Sequence, residues 1–137
     1  MNLNIKNFDD LIGTIKEKFK KNIVITSGKI NIEQFNIIKD NLFVKLENNV
    51  FVSKKYKKSL IFIDNTDFRD LEQIVSKSCQ VICCEGAISH VSNALNKNTY
   101  ALINNFKTAK FWTNHMKKLK LIKRENIKSV CRQILSV

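Results

Sequence analysis

Proline is missing from this 137-residue chain, and glycine occurs only three times. No stretch has the composition of a flexible or polyproline linker, and no repeat or low-complexity run breaks the apolar pattern. No window approaches the roughly 18 to 20 consecutive apolar residues that span a bilayer. The first ten residues, MNLNIKNFDD, lack the apolar core of a secretory signal. The expected compartment is therefore the cytoplasm. Acidic residues are scarce as well: 12 stand against 24 lysines and arginines, which leaves a net charge of +12.

The four cysteines do not have the C-x2-C spacing of zinc sites. Cys79, Cys83 and Cys84 follow C-x3-C-C, and Cys131 stands alone near the C-terminus. Cys83 and Cys84 are neighbours on an expected strand, so their side chains point to opposite faces and read as small apolar thiols. No carboxylate cluster suggests a metal. Neither a metal nor a cofactor is expected.

What is present is a globular composition, 44% hydrophobic and 26% charged. A chain of this length suffices for one domain with one core, spanning 1–137. Phe8, Leu11, Ile12, Ile15 and Phe19 form an apolar stripe of helical period, with Asp9 and Asp10 at its start and Lys20 and Lys21 at its end. Ile23–Thr26 reads as a buried strand closed by Ser27 and Gly28. A helix follows over 32–42, and then 43–56 holds one or two short strands around Glu47, Asn48 and Asn49. Leu60–Ile63 is a strand. Asp64 to Asp67 are capping residues ahead of the stripe Phe68, Leu71, Ile74 and Val75. Gln80–Cys84 is a strand, 87–95 a helix and Tyr100–Ile103 a strand. Part of 107–118 is helical, and Ile127, Val130, Cys131 and Ile134 mark a closing helix. Strands alternating with helices imply parallel βαβ units. The expected fold is a three-layer Rossmann-like α/β domain with a mainly parallel sheet.

In such sheets ligands bind beyond the carboxyl ends of strands. Cys83-Cys84-Glu85-Gly86-Ala87-Ile88-Ser89-His90 spans one of these ends. Gly86 permits a positive φ and a close backbone approach. The first amides of the next helix, those of Ala87, Ile88 and Ser89, suit a phosphate. The Ser89 hydroxyl and the His90 imidazole add donors. Each of these residues also has a plain structural reading: a turn glycine, a helix-capping acid, a half-buried histidine.

The stretch from Glu85 to Leu95, EGAISHVSNAL, resembles the donor-site motif of glycosyltransferase family 9, the ADP-heptose–lipopolysaccharide heptosyltransferase type. That motif has an acid, small residues, an apolar residue, Ser, His and an Ala-rich helix. Phe8–Ile12, Ile23–Gly28, Asp70–Val75 and Tyr100–Ile103 resemble the neighbouring elements of the family's C-terminal domain, so the likeness runs through most of the chain from Phe8. It implies the C-terminal half of a GT-B fold and a nucleotide-diphosphate sugar as substrate. Carried over, Glu85 contacts the sugar, and Ser89 and His90 lie near the pyrophosphate. Ser27, Gly28 and Lys29 face the nucleotide, and Trp112 approaches the donor or packs in the core.

The chain departs from the family in three ways. Glu85 replaces the commoner Asp, and Ala87 stands where many members have glycine. Residues 1–7 stand where the family's domain has its first strand, and nothing resembles the N-terminal acceptor domain with its catalytic base. The resemblance thus implies sugar transfer to a glycan or lipid-linked acceptor only with a separate acceptor-domain chain, and it assigns no catalytic residue. A non-catalytic nucleotide-sugar-binding or partner-stabilising module is the alternative. The basic charge suits anionic donors and peripheral contact with an anionic inner-membrane face. The abundance of lysine, asparagine and isoleucine also fits the bias of an AT-rich genome. Nucleic-acid binding rests on charge alone, without a helix-turn-helix, an RNP-like aromatic pair or a zinc finger to support it.

Overall fold

The computed structural model describes residues 3–136. It is a mixed α/β protein whose chain divides into two compact units, one up to Asp67 and one from Phe68 onward.

The first unit runs α1 (Ile5–Phe19), β1 (Ile23–Thr26), α2 (Glu33–Leu42), β2 (Phe43–Glu47), β3 (Val50–Ser53) and β4 (Lys57–Ile63). Helix α1 starts earlier than its apolar stripe suggests. The Asn4 side chain caps it by accepting the Asn7 N–H at 2.8 Å, so Asp9 and Asp10 fall in the second turn rather than the first. Lys20, at φ 53°, ends it in the left-handed region. The sheet order is β1-β4-β3-β2, with β1 and β4 parallel and the rest antiparallel. The ambiguous stretch 43–56 is thus a hairpin, turning at Asn48 and Asn49.

Register explains how this sheet divides its faces. Ile25, Phe62 and Phe51 lie side by side, and with Leu60 and Phe43 they meet Phe8 and Ile12 of α1 and Ile38 of α2 in one core. Both helices therefore cover the same face. Phe43 and Phe62 pack edge to face at 5.7 Å, as do Phe8 and Phe43 at 6.2 Å.

The second unit runs α3 (Phe68–Lys77), β5 (Gln80–Cys84), α4 (Ala87–Ala94), β6 (Asn98–Ile103), α5 (Phe106–Thr113), β7 (Leu119–Lys123) and α6 (Ile127–Ser136). Its three strands are all parallel in the order β5-β6-β7, the Rossmann-like arrangement. The central strand β6 is buried from Thr99 to Ile103. Ala109 of α5, fully buried, sits against Ala101 and Ile103, and its small side chain lets helix and sheet approach closely. Strand β7 has no counterpart in the sequence reading. Its LKLIK alternation is short and merges with a lysine-rich run. Among the described residues, no helix is long and apolar enough to cross a membrane.

Candidate functional site

The junction between β5 and α4 begins where the ladder ends. The Glu85 N–H donates to the Leu102 carbonyl at 3.1 Å, which extends the β5–β6 pairing by one residue and leaves the Glu85 side chain exposed. Gly86 then takes φ 144° and ψ −157°, a region open essentially to glycine alone. As the N-cap of α4 it brings no side chain, so no side-chain cap is made to the helix's first turn. Intrahelical bonding cannot satisfy the amides of Ala87 and Ile88 at that position. Ala87 is exposed and Ile88 half-buried.

Ser89 departs from its expected role. Its side chain is fully buried, and its hydroxyl donates to the Gly86 carbonyl at 2.6 Å. That carbonyl also accepts the Ser89 N–H at 3.2 Å. The hydroxyl proton tightens the turn and is not offered to an anion. One helical turn further in, Ser92 is likewise buried and shares a hydrogen bond with the Thr99 hydroxyl, so α4 is pinned to β6 through polar atoms.

His90 lies on the exposed side of α4. Its ring packs on Trp112 of α5, with centroids 5.4 Å apart and planes tilted by 34°. The contact places α4 and α5 on one face of the parallel sheet, as right-handed crossovers require. Trp112 also packs on the core around Ala101, Ile103 and Ala109, so it is both a core side chain and half of a surface ring pair. Asn105 caps α5, accepting from Lys107 N at 2.9 Å and from Thr108 N at 3.2 Å. The neighbouring Phe111 is 87% exposed, next to Lys110 and one helical turn from Lys107, both of them exposed.

Ser27, Gly28 and Lys29 belong to the first unit, where they form a polar cluster of their own. Ser27 is buried, and its hydroxyl donates to the Asp64 carboxylate. Its carbonyl accepts the Thr66 hydroxyl at 2.7 Å and the Thr66 N–H at 2.9 Å. Lys29 donates to the Asn65 carbonyl at 3.0 Å, and Gly28 is exposed. Within the segment Asp64–Asp67, expected to cap α3, Asp64 and Thr66 turn toward Ser27. The second oxygen of Asp64 accepts from Lys39 of α2, whose ammonium lies over the rings of Phe51 at 5.2 Å and Phe62 at 5.7 Å. The sequence reading missed this pair. Its signal was a lysine four residues after Phe35 and three before Leu42, on the apolar stripe of α2.

Partial burial works to raise the Asp64 pKa. Hydrogen bonds from Lys39 and Ser27, together with the Lys39 charge, outweigh it and hold the carboxyl below its ordinary 3.8. At the end of β5, burial and the adjacent Cys84 push the Cys83 thiol up to about 12. No cluster of three or more His, Cys, Asp or Glu able to hold a metal occurs among the described residues. Two cavities share no lining residue with the junction. One of about 440 Å³ is bounded by Leu3, Ile5, Gln34, Ile37 and Ile38. The other, of about 180 Å³, sits at the amino ends of β5, β6 and β7 beside Gln80, Asn98, Tyr100, Lys118 and Lys120.

No family model, curated protein or solved structure matches the chain.

Proposed function

We propose that the chain binds a nucleotide-diphosphate sugar at the start of α4 and serves as the donor half of a glycosyltransferase of the family 9 type, in the C-terminal domain of a GT-B arrangement. One observation carries this reading. A parallel strand ends at Cys84, Glu85 and a glycine at φ 144° follow, and the helix they open has no side-chain cap over its first amides. Those amides and the positive end of the helix dipole suit a diphosphate. The His90–Trp112 ring pair flanks the same helix and offers a stacking surface and an imidazole donor. The exposure of Glu85 at the strand end supports its role as an acceptor for a sugar hydroxyl.

Transfer needs a base for the acceptor hydroxyl and a second wall against water, and both would come from a separate chain. Without that chain the domain acts as a nucleotide-sugar-binding module. The net charge of +12 favours anionic donors and contact with an anionic membrane face on the cytoplasmic side.

Calorimetry with UDP-, GDP-, ADP- and CMP-sugars tests the reading. At least one is expected to bind with a dissociation constant of about a millimolar or tighter, and His90→Ala and Trp112→Ala are expected to weaken it by about tenfold or more. Silence from all four would end the proposal.

The exposed Phe111, next to Lys110 and one turn from Lys107, favours a second reading, single-stranded nucleic acid held by stacking and charge. Micromolar binding of an oligothymidylate at physiological salt, lost in Phe111→Ala, would favour it over the first.

A further inference from the structure

The connection between β3 and β4 gathers cations around one aromatic ring. It reads Lys54-Lys55-Tyr56, and Lys57 and Lys58 open β4 directly after it. Tyr56 packs against the core of the first unit, which holds its ring in place. Its N–H donates to the buried Ser53 hydroxyl at 2.9 Å, and its carbonyl accepts the Ser59 hydroxyl at 2.7 Å. The Lys55 ammonium lies over this ring, 5.2 Å from its centroid. Lys16 of α1 lies over the same ring at 5.1 Å and donates to the Ser59 carbonyl at 3.4 Å. Two ammonium groups from separate elements thus share one tyrosine.

The chain supplies little to balance them. Among the described residues, none of Lys16, Lys54, Lys55, Lys57 and Lys58 forms an ion pair. The second unit is a poor source of counter-charge. Its acidic residues are Asp70, Glu72, Glu85 and Glu125, against 12 basic ones. A second copy of the chain brings the same deficit. Ring and carbonyl fix the cations in position without relieving their mutual repulsion, and an external polyanion does relieve it.

We infer that the β3–β4 hairpin, with Lys16 beside it, holds the phosphodiester backbone of a nucleic-acid duplex without reading its bases. The first unit contains no arginine, so the cluster has no planar fork for paired carboxylates and consists of lysine point charges. A duplex presents about one phosphate charge per 1.7 Å of its axis, a match for closely spaced lysines. Tyr56 carries two ammonium groups on its ring and is not free to stack an unpaired base. Residues 54–58 hold no exposed apolar side chain to enter a bilayer. The inference stands apart from both readings above, because neither α4 nor α5 takes part.

Anisotropy of a labelled DNA duplex of about 20 base pairs, titrated with the full chain at several sodium chloride concentrations, tests it. Lys55→Gln/Lys58→Gln removes two side chains that make no hydrogen bond among the described residues. It is expected to make the slope of log K against log salt shallower by about 2, and to weaken binding at 0.1 M salt by about tenfold or more. Lys55→Arg/Lys58→Arg is expected to keep the parent's slope and affinity. Lys6→Gln/Lys45→Gln takes the same charge from exposed positions elsewhere in the first unit and is expected to change affinity by less than about threefold. Phe111→Ala is expected to leave the duplex slope unchanged. Three results overturn the inference. One is a parent that binds no duplex, or binds it no better than Lys55→Gln/Lys58→Gln. Another is an equal loss in Lys6→Gln/Lys45→Gln, which would leave only a diffuse field. The third is tighter binding to phosphatidylserine vesicles than to the duplex, lost in Lys55→Gln/Lys58→Gln, which would assign the hairpin to a lipid surface.

Discussion

At Gly86 the residue type is dictated by the backbone rather than by space. A Cβ there would meet nothing within 4 Å, so a substitution is not a steric problem. The obstacle is φ 144°, where a side-chain-bearing residue is strained by about 1–3 kcal/mol. Gly13 has equally open surroundings, but it lies in the middle of α1, where glycine is the costlier choice. The same replacement is thus expected to act with opposite signs. Gly86→Ala lowers the denaturant midpoint by the equivalent of about 1–3 kcal/mol, while Gly13→Ala raises stability by up to about 1 kcal/mol. Urea unfolding of both variants checks this, and a neutral Gly86→Ala would show that α4 opens through a different turn. The two adjacent thiols at the end of β5 differ in the same residue-by-residue way. Cys84 is exposed, whereas Cys83 is half-buried with its pKa pushed to about 12. At pH 8 iodoacetamide is expected to modify Cys79 and Cys84 well before Cys83, because the thiolate is the reactive form. Mass mapping of the alkylated peptides reads the order.

Among the elements, the carboxyl ends of β1 and β4 are clasped to α2 through one carboxylate. Lys39 retains 9% of its side-chain surface and Asp64 32%. Removing Asp64 leaves a buried ammonium without its partner, which costs about 3 kcal/mol, the low end of the buried-pair range because Asp64 is partly solvated. The pH dependence has a definite sign. The folded pKa of Asp64 lies below its unfolded value, so its contribution is complete above pH 4 or so and fades as pH falls through the folded pKa. Asp64→Asn is therefore expected to be less stable than the parent near pH 7, with the gap closing on acidification below about pH 4. Urea midpoints of both proteins across that range measure the gap, and a constant gap would remove the carboxylate from the account.

The same scale shows what the sequence displays and what it hides. The β-branched run Ile23–Thr26 and the apolar run Gln80–Cys84 match β1 and β5 residue for residue, because a short apolar run closed by turn residues reads as a strand even where, as at these two sheet edges, it is only partly buried. Strand β7 escapes notice because its lysines project from an edge. The β5–α4 junction is legible from Glu85-Gly86 and the amphipathic pattern behind it. The inward turn of Ser89 is not, since only the packing of α4 on β6 decides which side of the first turn is buried. The clasp at Asp64 was hidden for a related reason. Four capping-type residues ahead of a helix read as a local cap, while the partners of Asp64 lie 25 and 37 residues away.

For the whole molecule the dominant fact is the imbalance of charge, 24 basic residues against 12 acidic. With 12 acidic residues, at most half of the basic ones can be neutralised in pairs. Lys39 meets Asp64, and Lys123 meets Glu125 at 3.1 Å, the latter two with both side chains largely in solvent. A surplus of one sign destabilises the compact state by self-repulsion, and that repulsion reaches as far as the Debye length allows. The length is about 30 Å at 0.01 M salt and about 8 Å at 0.15 M, so ordinary salt screens most of the repulsion between exposed lysines. The melting temperature is accordingly expected to rise by several degrees between 0.01 and 0.15 M sodium chloride. Most globular domains with balanced charge would move much less. A specific anion site makes a further demand. At fixed ionic strength, millimolar pyrophosphate should raise the melting temperature beyond what chloride achieves, and Gly86→Ala should reduce that excess while leaving the chloride response unchanged. Thermal melts in matched ionic strength separate the two terms. A pyrophosphate effect equal to that of chloride would leave only the diffuse field of the lysines, with no anion held at the start of α4.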